Sequence, residues 1–249
     1  MRRENNLGTD AMFGLVLRLA IPAMLAQFIN VLYSIVDRIF IGNIPEIGST
    51  ALAGVGICGP IVTLITSFSI WIGIGGSPLM SIKMGENDRK GATKIMANCF
   101  FMMIAMAIVI TAVVILFRQP LLMLFGASEA TFPYANTYMT IYAAGSLFAI
   151  LSMGMNTFII CQGYSKIAMM SVAIGAVCNI ILDPIFIFAF DMGVAGAAVA
   201  TVISQMVSCA FVLLFLFSGR PPIRITFGGY DGTLMLRILL TGLSPFLIV

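Results

Sequence analysis

The sequence predicts an all-α integral membrane protein with six membrane-spanning helices and the beginning of a seventh. Of its 249 residues, 60% are hydrophobic and only 9% are charged, whereas soluble domains carry about 25% charged residues. The mean hydropathy is +1.08. Apolar runs of about 20 residues or more, the length that crosses a bilayer as a helix, recur along the chain. So few charged residues are too few for a surface exposed to water, so we expect most of the surface to face lipid.

The six predicted spans follow the apolar runs in chain order. They cover residues 14–41, 51–80, 95–117, 137–161, 167–190 and 194–217, and residues 234–249 begin a seventh. LRLAIPAMLAQF opens the first span and LRILLTGLSPFLIV the seventh, and both read Leu-Arg, then apolar residues, then proline. Transporters are often built from such repeats. We therefore expect a six-helix N-terminal lobe (1–217), a cytoplasmic inter-lobe linker (218–233) and the truncated start of a second lobe (234–249).

The basic residues predict the orientation of the chain. Eleven of the thirteen Lys and Arg residues fall at one end of the predicted helices, among them the cluster in KMGENDRKGATK. Only Arg38 and Arg118 fall at the other end. Because cytoplasmic loops carry the excess of basic residues, the sequence predicts a multi-pass plasma-membrane protein with a cytoplasmic N-terminus.

Polar residues form one stripe on the first helix. Gln27, Asn30, Ser34 and Asp37 lie within an arc of about 80° on an ideal helix. Such a stripe normally faces the bundle interior or a cavity, so the first three are candidates to line a substrate cavity. Hydrogen bonding between helices is an alternative for them. Asp37 needs a cation, a proton or an arginine, and Arg38 more naturally extends to the outer interface.

The fifth helix carries a second polar stripe with a period of four residues. Its members are Ser171, Gly175, Asn179 and Asp183. Pro184 follows, and its ring displaces the carbonyl of Ile180 from the helical hydrogen-bond pattern. A carboxylate, an amide oxygen and a free carbonyl are hard ligands that suit Na⁺ or a proton. The alternative is a simple proline kink with an Asp–Asn hydrogen bond.

Small and polar residues recur every four positions on the sixth helix. Gly193 and Ala197 suit close helix packing, and Thr201 either faces the bundle or bonds back to its own helix. Asp183 and Thr201 are each nine residues from the turn at Met192, which places both about 13 Å below it. Asp37 lies about 12 Å below its own outer loop by the same rule. Three helices therefore present polar groups at one depth in the outer half of the membrane.

Several function classes are excluded or disfavoured. The chain has no histidine, which excludes His-based catalysis and His metal sites. GIGGSP lacks the Lys-Ser/Thr of a phosphate-binding loop, and no second aspartate occurs in a GxGD setting. The five cysteines sit in apolar runs without a CxxC motif. We therefore expect no enzymatic activity, no nucleic-acid partner, no cofactor and no metal other than Na⁺ at the polar stripes.

Five segments carry a resemblance to a known family. They are VDRIFIG (36–42), ALAGVGICGP (51–60), CQGYSKIAMM (161–170), NIILDP (179–184) and MGVAGAAVATVISQ (192–205). Over residues 15–249 the chain resembles the N-terminal half of multidrug and toxic compound extrusion (MATE) transporters. The resemblance implies two six-helix lobes around a central cavity. It also implies a cation site at Asp37, Asn179, Asp183 and Thr201, to which Ala197 contributes a backbone carbonyl.

The predicted function is cation-coupled antiport, driven by Na⁺ or H⁺, that exports amphipathic drugs or organic cations. Its predicted partners are a small-molecule substrate, the lipid bilayer and a second lobe. One alternative is a flippase for lipid-linked precursors or polysaccharides, which would need several basic residues in its cavity, whereas Arg38 is the one basic candidate within a span. The other alternative is a non-transporting membrane subunit.

Overall fold

The structure, a computed structural model, describes residues 12–246, and they form seven α-helices and one π-helical turn. In chain order the α-helices are α1 (Met12–Gly42), α2 (Gly48–Gly85), α3 (Arg89–Leu124), α4 (Phe132–Cys161), α5 (Ser165–Pro184), α6 (Gly193–Phe217) and α7 (Gly232–Phe246). The π-helical turn, Ile185–Ala189, joins α5 to the loop before α6. The all-α fold predicted from composition is confirmed.

Six of these helices, α1 to α6, are long and apolar enough to cross a membrane. They coincide with the six predicted spans, which confirms the multi-pass architecture. The main difference lies in α2 and α3, which contain 38 and 36 residues. At 1.5 Å per residue these helices reach about 55 Å, well beyond a hydrocarbon core of about 30 Å. The polar segment around residues 81–94 is helical on both sides of a short turn. A search for apolar runs cannot detect these polar helix ends.

Helix α4 occupies the centre of the bundle. More than half of its span is buried (56%), against 11% for the span of α1. It packs against α2, α3 and α6, while α5 packs against α1 and α6. Glycines permit the closest approaches, since an added Cβ at Gly145 would collide with Val202 and one at Gly154 with Met103. The arrangement leaves α1 at the edge of the bundle, covered mainly by α5.

The chain departs from regular α-helix directly after Pro184. The sequence predicts one kinked helix over 167–190, whereas the structure ends α5 at Pro184 and continues as the π-helical turn. The amide of Phe190 donates to the carbonyl of Ile185 (2.9 Å), the wide spacing of a π-helix. Gly196 of α6 lies against this turn, and an added Cβ would collide with the Phe186 carbonyl. The proline thus produces a change of helix type, and α6 packs closely against it.

Two buried side-chain amides, those of Gln162 and Asn98, hold the segment that follows α6 against the bundle. Residues 218–231, hereafter the linker, contain no regular helix or strand. The Ile223 amide donates to Gln162 Oε1 (2.9 Å), and the Asp231 amide donates to Asn98 Oδ1 (2.9 Å). Helix α7 then packs against α2, where Trp71 Nε1 donates to the Leu239 carbonyl (2.8 Å). The assignment of α7 to a second lobe stays a prediction.

Candidate cation site and adjoining cavity

Two carboxylates and an amide lie together where α1 meets α5. Asp183 and Asn179 are fully buried, and Asp37 is 9% exposed. Asn179 Nδ2 donates to Asp183 Oδ1 (3.1 Å) because the two residues are one helical turn apart. Helices α1 and α5 pack against each other, and Asp37 and Asp183 lie close enough for their charges to interact. Two buried carboxylates so placed repel each other when both are ionised.

Three oxygens at this interface have no hydrogen-bond partner among the described residues. They are Asp37 Oδ1, Asn179 Oδ1 and Asp183 Oδ2. A buried polar atom without a partner costs about 1–3 kcal/mol, and more when it is charged. Oxygen donors of this kind are those that hard cations prefer, and a bound cation or proton would satisfy them. The residues present therefore fit a candidate cation site.

A cavity of about 310 Å³ opens beside Asp37. Helix α1 contributes Ser34, Asp37 and Arg38 to its lining, and α6 contributes Thr201 and Gln205. The small residues of α2, including Gly56 and Gly59, form part of another wall. The volume is at the lower end of the range found for small-molecule pockets. The cavity places Asp37 between the buried interface with Asp183 and an open space.

Tyrosines that the sequence analysis did not single out form much of the cavity wall. Tyr33, Tyr138 and Tyr142 line it, and the rings of Tyr138 and Tyr142 stack with centroids 6.2 Å apart. Gln205 Nε2 donates to the Tyr142 hydroxyl (3.5 Å), and Gln205 Oε1 has no partner among the described residues. The sequence spacing could have indicated this wall, because Tyr138 and Tyr142 are one helical turn apart and therefore share a face of α4. Thr201 and Gln205 share a face of α6 in the same way.

The structure brings together some of the predicted site residues and separates others. Ser34, Asp37 and Thr201 line the cavity, with Asn179 and Asp183 behind Asp37. Ala197 is fully buried one turn before Thr201 in α6. Gln27 is exposed and Asn30 half-buried on α1, and neither belongs to this cavity's lining. The cation-binding and substrate-binding roles of all these residues stay predictions.

The fold and the buried carboxylates define a class of protein. Six helices are long and apolar enough to cross a membrane, and α1 and α5 each bury a carboxylate at their contact, so this is a polytopic membrane protein with ionisable residues inside its helical bundle. The MatE family profile matches residues 22–185. Because that match covers more than half of the chain, the chain belongs to the MatE family.

Known proteins with similar sequences are named for drug resistance or export. The "probable multidrug resistance protein YpnP" of Bacillus subtilis (strain 168) is 28% identical over 201 residues, which cover 81% of this chain and 45% of that protein. The "multidrug export protein MepA" of Staphylococcus aureus (strain MRSA252) is 24% identical over 213 residues, covering 86% of this chain and 47% of MepA. The chain therefore spans about half the length of these relatives.

Solved structures of MATE proteins share the fold. A crystal structure of MATE in the bent conformation superposes with a TM-score of 0.86 at 27% identity, covering 94% of this chain and 52% of that one. An outward-facing MATE transporter of the MOP superfamily gives a TM-score of 0.85 at the same identity and coverage. The similarity extends over nearly all of this chain and half of each neighbour, so it concerns one part of those proteins.

Proposed function

We propose that this chain forms the N-terminal lobe of a cation-coupled antiporter that exports amphipathic drugs or organic cations across the plasma membrane. The observation that carries the proposal is the set of unpartnered oxygens on Asp37, Asn179 and Asp183 beside a cavity. The names of the relatives YpnP and MepA, which refer to multidrug resistance and export, support drug export. The second lobe, the substrates and the coupling belong to the proposal.

Coupling would arise from the carboxylate pair between α1 and α5. Two buried carboxylates repel each other when both are ionised, and a proton or a Na⁺ ion removes that repulsion. Binding the ion therefore favours the arrangement in which α1 lies against α5. Helix α1 is the least buried of the six spans, so it is the element whose position the ion would bias. An ion acts on transport through such a difference in affinity between two arrangements.

The cavity wall supports an amphipathic cationic substrate. Aromatic faces attract organic cations, and Tyr33, Tyr138 and Tyr142 all border the cavity next to Asp37. Arg38 is the one basic side chain in the lining among the described residues. A flippase for phosphate-bearing lipids would need a more basic wall, so the observations favour organic cations.

The test is efflux of ethidium from cells that express the intact protein with either carboxylate neutralised. Asp37→Asn and Asp183→Asn should each reduce efflux at least tenfold, because each variant removes a charge from the pair. The matched control is Asp191→Asn, an exposed carboxylate in the turn before α6. It should export at the wild-type rate. Expression and membrane insertion are compared by immunoblot, and normal efflux by both site variants would refute the proposal.

A further inference from the structure

A second cavity lies at the opposite end of the bundle from the candidate cation site, and the proposed transport does not use it. It has a volume of about 390 Å³ and is formed between the first turns of α3 and the linker. Its α3 wall carries three basic side chains, Arg89, Lys90 and Lys94, all exposed. Lysine and arginine at such density point to an anionic ligand.

The acidic groups nearby already have partners, which leaves positive charge in this cavity. Lys94 Nζ pairs with Asp231 Oδ2 (2.8 Å), and this hydrogen bond lowers the pKa of Asp231. Lys83 pairs with Glu86 (2.7 Å) and Asp88 (3.4 Å). In the part of the chain that the structure describes, neither Arg89 nor Lys90 has a carboxylate partner within 4.0 Å. These two side chains supply the unneutralised charge.

The linker forms a fixed wall opposite these basic residues. Gly228 (φ +100°) and Gly229 (φ +70°) adopt backbone conformations that side chains disfavour. Asn98 is fully buried, and its Nδ2 donates to the Gly229 carbonyl (3.2 Å) while its Oδ1 accepts from the Asp231 amide (2.9 Å). These hydrogen bonds therefore fix the linker wall of the cavity, which is widely open to its surroundings.

Aromatic side chains place this cavity at the membrane surface. Phe227 is 73% exposed, and Tyr230 packs on the exposed ring of Phe101 with centroids 4.7 Å apart. Phe101 is seven residues beyond Lys94, about 10 Å further along α3, within the apolar part of the helix. Tyrosine and tryptophan concentrate where headgroups meet acyl chains, and Tyr230 is a half-exposed residue of this type. The basic groups therefore lie at headgroup level with an apolar surface directly below them.

We propose that this cavity binds the phosphate of an anionic phospholipid, with Arg89 and Lys90 contacting the phosphate and Phe227 contacting the acyl chains. Basic pockets at the ends of membrane helices suit such headgroups. A soluble phosphate has the same charge, but it would make no use of the exposed aromatic surface. Because the linker forms one wall, the bound lipid also stabilises the docked linker.

The test is native mass spectrometry of the intact, delipidated protein titrated with phosphatidylglycerol or phosphatidylcholine. The protein should prefer phosphatidylglycerol, and Arg89→Gln/Lys90→Gln should weaken its binding about 30-fold, since each charge near an anionic headgroup contributes about fivefold. The matched control is Lys166→Gln/Arg220→Gln, which removes two exposed charges that lie outside the cavity lining. The control should bind as the wild type does.

Two further measurements separate a lipid from a soluble anion. Phe227→Ser should weaken phosphatidylglycerol binding and leave any binding of inorganic phosphate unchanged. Inorganic phosphate at millimolar concentration should fail to displace the lipid. The proposal is overturned by lipid binding that is equal in the wild type and the Arg89/Lys90 variant, by an equal loss in the Lys166/Arg220 control, or by displacement with inorganic phosphate.

Discussion

Asn179 presents its two polar atoms in different directions at the candidate cation site. Its Nδ2 donates to Asp183 Oδ1 (3.1 Å), and its Oδ1 is buried without a partner among the described residues. The amide thus orients the carboxylate, and its oxygen is free to contact the proposed ion. An aspartate at this position would instead add a third negative charge to a buried site.

This dual role gives a prediction at the scale of a single residue. Asn179→Leu keeps a similar side-chain volume but removes both polar atoms. Hydrogen bonds to charged groups contribute about 1.5–3 kcal/mol, so the ion concentration that gives half-maximal efflux should rise at least tenfold. Efflux is measured in vesicles at varied Na⁺ and varied pH, which also identifies the coupling ion.

The control for this variant lies on the same face of α5. Ser171→Ala removes a hydroxyl that donates to the Ala168 carbonyl (2.7 Å), two helical turns from Asn179 and away from the carboxylates. Its ion dependence should remain that of the wild type. An unchanged ion dependence in Asn179→Leu would show that the amide does not contribute to ion binding.

At the scale of elements, the linker depends on side chains distant in sequence. Asn98 and Gln162 are both buried, and each bonds the linker backbone with an amide group. A segment without regular structure must satisfy its backbone groups in some other way. These two amides do so at opposite ends of the linker, which positions α7 against α2.

Removal of one of these amides should free one end of the linker. In Asn98→Leu, the Asp231 amide loses its acceptor and the Gly229 carbonyl its donor. Hydrogen exchange around residues 228–232 should accelerate about tenfold or more, because a lost bond at a buried amide costs about 1–3 kcal/mol. The measurement is hydrogen–deuterium exchange with mass spectrometry on the intact protein.

The matched control changes an amide that bonds only to the helix directly before it. Asn43 Nδ2 donates to the Ile39 carbonyl (2.7 Å) at the end of α1, so Asn43→Leu should leave linker exchange unchanged. Equal exchange in the wild type and Asn98→Leu would show that the Lys94–Asp231 ion pair and the packing of α7 are sufficient to hold the linker.

For the whole molecule, the sequence predicts features that depend on local composition better than features that depend on packing between distant residues. The six spans were predictable because hydropathy over about 20 residues depends on local composition alone. Depth on ideal helices predicted that Asp37, Asp183 and Thr201 reach one level, but not which side chains face each other. The π-helical turn was not predictable, since Pro184 predicts a break in the helix but not the conformation that follows it. Nor were the linker contacts, whose partners lie 61 to 133 residues apart.

Trp71 offers a direct test of whether ion binding reaches beyond the candidate cation site. It is the one tryptophan in the sequence, and its Nε1 donates to the Leu239 carbonyl at the contact between α2 and α7. If an ion bound between α1 and α5 shifts the arrangement of the whole bundle, the environment of this ring changes with it. We therefore expect the emission of Trp71 in the purified protein to respond to the coupling ion, with saturation as a site fills.

Two comparisons make the Trp71 response specific to the candidate cation site. Choline at equal ionic strength should give no response, which excludes a general effect of salt on surface charges. Asp183→Asn should abolish the response, whereas Asp191→Asn should retain it. A response of equal size in Asp183→Asn would mean that the ion acts elsewhere, because that variant removes one of the two carboxylates proposed to bind it. Abolition of the response in Asp183→Asn alone would instead link Asp183 to the contact between α2 and α7, as expected if an ion at this site shifts the arrangement of the bundle.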